Sequence, residues 1–274
     1  MVLIQLKEIQ CKSALSSCAF SVGSFCINPY VGCGHNCQYC YARYIKKFTG
    51  HNEKWGSFID VRINIVEVLS KQLQLKKDNQ KPLFIGTVTD PYQPIEKKYM
   101  LMRRILKVLE TYENQITIMT KSDLILRDID LLKNIKNIKT NITINTFNEK
   151  WQKLIEPLAT PIKNRLEAIK KLRSENIKVC VMIGPYWPFF TDIEAMFRKF
   201  KELGVNELTT ESFNSIGGNW DGVEKILKKY YPIILPKMKE IIFNQKKFDE
   251  FYNRVGDKLR ALSKKYNLPI TIYF

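Results

Sequence analysis

The chain has 274 residues, with 44 Lys and Arg against 27 Asp and Glu, a formal net charge of +17. With 45% hydrophobic residues it can bury enough apolar surface to offset chain entropy, which excludes a wholly disordered protein. No stretch approaches the roughly 20 apolar residues of a membrane-crossing helix, and the start MVLIQLKEIQCKS lacks the features of a signal peptide, so a cytoplasmic protein is expected. The positive charge is compatible with a nucleic-acid partner. It is spread along the chain without a basic tail or an arginine stripe, so a lysine-rich solvated surface is the simpler reading.

Taken in chain order, the predicted elements alternate. Ile27 to Tyr30 reads as a short strand entering a cysteine-rich loop. Ile63 to Leu75 has apolar residues at helical spacing. Pro82 to Val88 is an apolar run suited to a buried strand, and Tyr99 to Leu109 is helical. Gln115 to Met119 reads as strand, then Leu124 to Ile135 as helix with Asp123 as its N-cap. Asn141 to Thr146 is strand, Ile162 to Glu175 helix, Ile177 to Ile183 strand. Asp192 to Leu203 is helix, stopped by Gly204, and Glu207 to Thr210 is strand. From about residue 221 the chain reads as helical and basic, ending in a strand at Ile270 to Tyr273.

About six strand-then-helix units between residues 26 and 230 predict an α/β fold with a parallel sheet. Right-handed crossovers then allow an open doubly wound sheet or a full or partial (β/α) barrel. In each case the chemistry belongs at the C-terminal strand ends. Those ends are Cys33 onward, Thr89-Asp90, Lys121-Ser122, Asn145-Thr146, Gly184-Pro185 and Glu211.

Seven cysteines without a signal peptide argue against a disulfide framework, and six of them fall within residues 11–40. The two histidines, His35 and His51, disfavour a histidine-rich metal site. Cys33, Cys37 and Cys40 form C-G-H-N-C-Q-Y-C, a C-x3-C-x2-C motif whose thiols must converge on something or risk oxidation. A zinc ion with Cys26, Cys18 or His35 as fourth ligand is one reading. A four-iron cluster on three thiolates fits better, because it leaves one iron open to an outside molecule.

The motif, with aromatic Tyr39 before its last cysteine, resembles the radical S-adenosylmethionine (SAM) superfamily. The segments INPYVGCGHNCQYCYARY, GTVTDPYQPIE, TKSDLILRDIDLL and EPLATPIKNRLEAIKKL resemble its spore photoproduct lyase-like branch, over residues 24 to 215. The resemblance implies a partial (β/α)6 barrel as a single domain over residues 1–274, with an extension over about 221–274. It implies a [4Fe-4S] cluster on Cys33, Cys37 and Cys40, and SAM chelated to the open iron. The backbone at Tyr39 would lie by the adenine. Thr89 and Asp90 would face the SAM amino group, Lys121 and Ser122 its carboxylate, and Asn145 and Thr146 the ribose.

By the same resemblance, reductive cleavage of SAM would give a 5′-deoxyadenosyl radical for hydrogen abstraction from a substrate left unidentified. A ferredoxin or flavodoxin would supply the electron. Tyr41, after the last cluster cysteine, matches a tyrosine of the branch's radical relay. The photoproduct lyase's hydrogen-donor cysteine has no counterpart, since no cysteine lies between Cys40 and Cys180. Alternatives are a DNA photoproduct repair lyase, or a non-enzymatic iron–sulfur or zinc protein that binds nucleic acid. Arg165 is expected to pair with Glu167 or Glu156 as structure of the barrel rim.

Overall fold

Short apolar strands and amphipathic helices do alternate in the computed structural model, which describes residues 4–19, 21–75 and 81–274. The first three residues of the segment read for a targeting signal lie outside the described residues. The strands are β1 (Gln5–Ile9), β2 (Leu15–Ser17), β3 (Phe25–Ile27), β4 (Tyr30–Val31), β5 (Phe58–Arg62), β6 (Leu83–Ile85), β7 (Ile116–Thr120), β8 (Ile138–Thr143), β9 (Lys178–Ile183), β10 (Glu207–Glu211) and β11 (Ile270–Tyr273). The helices are α1 (Lys46–Thr49), α2 (Ile65–Leu75), α3 (Glu96–Tyr99), α4 (Leu101–Leu109), α5 (Ile129–Leu132), α6 (Glu149–Ile155), α7 (Ile162–Ser174), α8 (Ile193–Glu202), α9 (Asn219–Tyr230), α10 (Ile234–Phe243) and α11 (Gln245–Tyr266). No helix among the described residues is long and apolar enough to cross a membrane.

One eight-stranded sheet runs β2-β3-β6-β7-β8-β9-β10-β11, parallel throughout except for the β2–β3 pair. Strands in sequence order, each joined to the next by a helical crossover, wind in a single direction. The result is a partial (β/α)6 barrel whose sheet keeps two edges, β2 and β11. Period-2 alternation sorts the strand residues. Ile85, Ile118, Ile142, Val181 and Leu208 are fully buried and pack against helix residues such as Ile105, Ile169 and Phe197. Each such side chain contributes roughly 1.5–3 kcal/mol by leaving water. The intervening residues form the inner face: Asn141 stands beside Met119 and Cys180, and Met182 beside Thr143 and Thr209.

Several expectations shift. Tyr30 leaves the first strand and pairs instead with Val61, in a separate sheet of order β1-β5-β4 that periodicity did not reveal. The fourth parallel strand lies at Ile138–Thr143, earlier than Asn141 to Thr146. Inward-facing Lys139 disguises its start, and Asn145 and Thr146 fall in the loop that follows. The helix expected at Leu124 to Ile135 is a 3-10 segment, Asp123–Asp128, followed by the single turn of α5. Its N-cap is Ser122, whose Oγ accepts from Leu124 N at 3.2 Å, and not Asp123.

Candidate functional site

The cysteine loop leaves β4 through Gly32, whose φ is +82°. A Cβ there would lie 2.3 Å from the Phe58 carbonyl oxygen, so only glycine lets the loop turn this close to β5. Two other segments grip the loop. Gly34 N donates to Gln93 Oε1 at 2.7 Å on the β6 side. On the α6 side Gln38 N donates to Ile155 O at 2.8 Å, and Leu158 N to His35 O at 3.3 Å.

Cys33 and Cys37 are buried and Cys40 is half-buried. Burial pushes the Cys33 thiol up to about 12 and raises those of Cys37 and Cys40. Nearby negative charge adds to this at two of them: Asp90 and Cys40 at Cys33, and Glu156, Cys40 and Cys33 at Cys37. Lys121 opposes this at Cys37 and Cys40. Three neighbouring thiols that resist ionisation become thiolates readily only against a strong positive charge, and an iron–sulfur cluster supplies one. Among the described residues no three His, Cys, Asp or Glu side chains close around a single ion. Cluster thiolates each meet a different iron and need not close around one point. The residues fit the cluster.

The strand ends carry the remaining expected residues. Thr89 Oγ1 donates to Gly32 O at 2.6 Å, tying the end of the second unit to the cysteine loop. Asp90 is buried and hydrogen-bonded within the protein. It accepts from Tyr92 N at 2.9 Å, Thr120 Oγ1 at 2.7 Å and Lys121 N at 2.7 Å. His35 Nδ1 lies 3.3 Å away, without the alignment of a hydrogen bond. Burial raises the Asp90 carboxyl, but His35, Thr120 and the Lys121 amide outweigh it and hold it at about 2. Its oxygens knit two strand ends together, and Oδ2, which accepts only from Lys121 N, keeps room for a further donor such as the SAM amino group expected there.

Ser122 Oγ accepts the cap bond from Leu124 N, which leaves its hydroxyl hydrogen for an anion. Thr146 Oγ1 donates to Phe190 O at 2.5 Å and accepts from Asn148 N at 3.0 Å, so its one hydrogen is committed to the fold. Asn145 Nδ2 donates to Tyr39 Oη and to Gly184 O, both at 3.3 Å. Lys121 differs from all of these. Its ammonium makes no hydrogen bond or ion pair among the described residues and sits 5.8 Å from the Tyr39 ring centroid. Burial lowers its proton affinity, but Cys37, Glu156 and Asp90 outweigh it and raise it. An unpaired, desolvated cation beside the cysteine loop suits an anion.

Tyr39 is buried and its hydroxyl donates to Glu156. Glu156 in turn holds Arg165 Nη2 at 2.5 Å, with both side chains inaccessible to solvent. Arg165 further donates to Thr160 O at 2.7 Å and Thr143 O at 2.9 Å. The partner is thus Glu156, while Glu167 is exposed. Tyr41 keeps its ring partly exposed while its hydroxyl donates to the Thr87 carbonyl, and burial of that end raises its proton affinity. Sequence reading missed Thr87, which accepts from Asn28 Nδ2 at 3.1 Å. It gave Glu211 no role beyond ending a strand.

These features define an α/β barrel class with a cysteine loop at the mouth of a partial parallel barrel and an unpaired lysine beside it. The sequence pattern of the radical SAM superfamily matches residues 27–200, and the chain belongs to that superfamily. It is 31% identical to an uncharacterised protein of Methanocaldococcus jannaschii, over 94% of each chain. It is 25% identical to a radical SAM Nα-GlyT isomerase of Pseudomonas phage M6, over 74% of this chain and 42% of that one. Spore photoproduct lyase with bound AdoMet and dinucleoside spore photoproduct superposes with a TM-score of 0.71 at 16% identity, covering 98% of this chain and 82% of that one. At that identity the likeness speaks for the fold. Membership in the superfamily implies radical chemistry driven by SAM cleavage, and with it an enzyme.

Proposed function

We propose that the chain binds a [4Fe-4S] cluster through Cys33, Cys37 and Cys40 and cleaves SAM reductively, to abstract a hydrogen atom from a substrate. The single observation that carries this reading is the set of three neighbouring buried thiols with the unpaired Lys121 ammonium beside them. Bound together, the cluster and SAM supply one-electron cleavage of the sulfonium to methionine and a 5′-deoxyadenosyl radical. The chain's own residues bind and orient. Lys121 takes the SAM carboxylate as a charge-assisted pair. Tyr39, fixed by Glu156, presents its backbone to the adenine. Thr89 holds the loop against the barrel, and Tyr41 stands at the mouth, on the substrate side. A ferredoxin or flavodoxin would deliver the electron.

A nucleic-acid substrate is the second reading. It is favoured by the net charge of +17 and by the fold shared with a lyase that holds a dinucleoside photoproduct. The deciding experiment is anaerobic reconstitution with iron and sulfide, then SAM and dithionite. The expected products are 5′-deoxyadenosine and methionine in equal amounts. Zinc retained without sulfide, or intact SAM after reduction, would overturn the proposal. Adding dinucleoside spore photoproduct tests the second reading. Without a thiol in the place of the lyase's donor, little thymidine release is expected, and repair over many turnovers would make the chain a photoproduct lyase.

A further inference from the structure

Strand β1 lies at the edge of the small β1-β5-β4 sheet and leaves apolar side chains in water: Ile4 is 39% exposed and Leu6 41%. With Pro94 and Ile95 they rim an apolar pocket whose floor is the buried pair Gly34 and Ile59. Gly34 directly follows Cys33, so one peptide unit separates the pocket from the first cluster cysteine. A Cβ on Gly34 would come within 3.4 Å of Ile59 Cδ1 and 3.7 Å of Ile4 Cδ1, which places the loop backbone against these side chains. The Gly34 amide also donates to Gln93, the residue before Pro94 in the rim. None of the residues expected to touch SAM lines the pocket, so an occupant competes with none of them.

The surroundings of the pocket are positive. Lys97 N donates to Pro94 O at 3.3 Å and Lys98 N to Ile95 O at 2.9 Å, so the single turn of α3 carries two exposed lysines directly off the rim. On the other flank, Gln5 N donates to Ser57 O at 2.8 Å, which joins the start of β1 to the turn that bears the exposed Lys54. None of these three lysines has an ion pair among the described residues, and Lys98 only lies over the Tyr99 ring at 5.3 Å. Elsewhere on the surface Lys133, Lys136, Lys171, Lys199 and Lys239 each face a glutamate. The carboxylates near the pocket are engaged: Glu8 accepts from Tyr99 Oη at 2.7 Å, and buried Glu96 holds Arg127 Nη2 at 2.7 Å. An exposed apolar patch with a charged rim marks a protein-interaction site, and this rim calls for an acidic partner.

We infer that this pocket is where the electron carrier docks: an acidic, ferredoxin-type protein seats an apolar contact on Ile4, Leu6 and Ile95 while its carboxylates meet Lys97, Lys98 and Lys54. One electron leaves the carrier, which is oxidised by one, and enters through the Cys33–Gly34 segment, so that the cluster is reduced by one; no covalent bond or proton changes place. A small patch suffices, because redox encounters are brief and use the smallest class of protein interface. This inference rests on the reading of the chain as a SAM-cleaving cluster protein.

The test titrates an acidic ferredoxin onto the anaerobically reconstituted full chain by calorimetry, and measures SAM cleavage driven by reduced ferredoxin or by dithionite. The double variant Lys97→Glu, Lys98→Glu and the single variant Leu6→Asp should each weaken ferredoxin binding roughly tenfold or more at low salt, and slow ferredoxin-driven cleavage with it. Dithionite needs no docking surface, so cleavage driven by it should stay within about twofold of native in both variants, with the melting temperature unchanged. At about 1 M salt, where charges are screened beyond about 3 Å, the affinity gap between native protein and the lysine variant should close. Absence of ferredoxin binding by the native protein, equal affinity in native and variants, or equal slowing with both reductants overturns the docking surface. So does a patch whose variants keep their ferredoxin affinity but lose self-association or the binding of a single-stranded oligonucleotide. Failure of the native protein to cleave SAM with dithionite would instead overturn the reading on which the docking surface rests.

Discussion

The two sides of the barrel mouth are built on opposite terms. On the α6–α7 side, Tyr39, Glu156 and Arg165 form a closed chain in which the buried charges are matched to partners. Next to it, Lys121 and Glu211 are also desolvated but have no hydrogen-bonded or ion-paired partner among the described residues. Buried charges are tolerated when paired and costly when not. The first side therefore holds the cysteine loop in place, and the second waits for a ligand. The same residue types play both parts, and pairing separates them. Asp90 stands between the two: a buried carboxylate that accepts from Tyr92, Thr120 and Lys121 and still has an acceptor site open on Oδ2.

The contrast can be broken most completely at the cysteines. Cys33→Ala, Cys37→Ala or Cys40→Ala should abolish a content of about four iron and four sulfide per chain after reconstitution. Alanine at Cys11, Cys18 or Cys180 should leave that content unchanged. Iron and acid-labile sulfide assays decide the matter, and retention of the cluster in any of the first three variants would refute the ligand assignment.

Next in size is the paired side. Glu156→Ala leaves Arg165 buried without its anion and should cost about 3–5 kcal/mol of stability. A double replacement, Glu156→Leu with Arg165→Met, should cost clearly less, because no charge is stranded. Denaturant unfolding of the three proteins measures this. A Glu156→Ala protein as stable as the native one would mean that the closed chain contributes nothing.

The unpaired side should behave in the reverse way. Lys121→Met should weaken SAM binding roughly 10- to 150-fold with little change in melting temperature. A large loss of stability with unchanged SAM affinity would place Lys121 with the structural charges.

The smallest effect belongs to Asp90. Its carboxyl sits at about 2 in the folded protein against an ordinary 3.8. A depressed carboxyl contributes stability above its unfolded value and loses it as the pH falls. Asp90→Asn should therefore cost about 2 kcal/mol at neutral pH, and the gap to the native protein should close between about pH 4 and pH 2. A gap that persists unchanged at pH 2 would show that the carboxylate's charge is not the source. SAM affinity should respond less to Asp90→Asn than to Lys121→Met, and the opposite ranking would return Asp90 to the cofactor.

The sequence by itself determined the alternation of strands and helices, the parallel sheet and the cysteine motif. Those features are written in local terms: apolar runs, helical spacing and residues three or four apart. Some strand ends were legible too: β7 and β10 stop at Thr120 and Glu211, where an apolar run meets polar residues, whereas β6 and β8 stop earlier than read. Register and partners were not legible. The β1–β5–β4 sheet joins segments some fifty residues apart, and neither alternates cleanly enough to declare itself. The start of β8 was hidden because its inward residues, Lys139 and Asn141, are polar on a face that the sequence alone cannot orient. The site divided in the same way. Cys33, Cys37, Cys40 and Lys121 stand out by type and position. That Asp90 and Thr146 bond to distant groups, and that the Glu211 carboxylate bonds to none among the described residues, depends on which donors and acceptors reach each oxygen. Only tertiary structure decides this, because a hydrogen-bond partner is a fact about distance in space and not about distance along the chain.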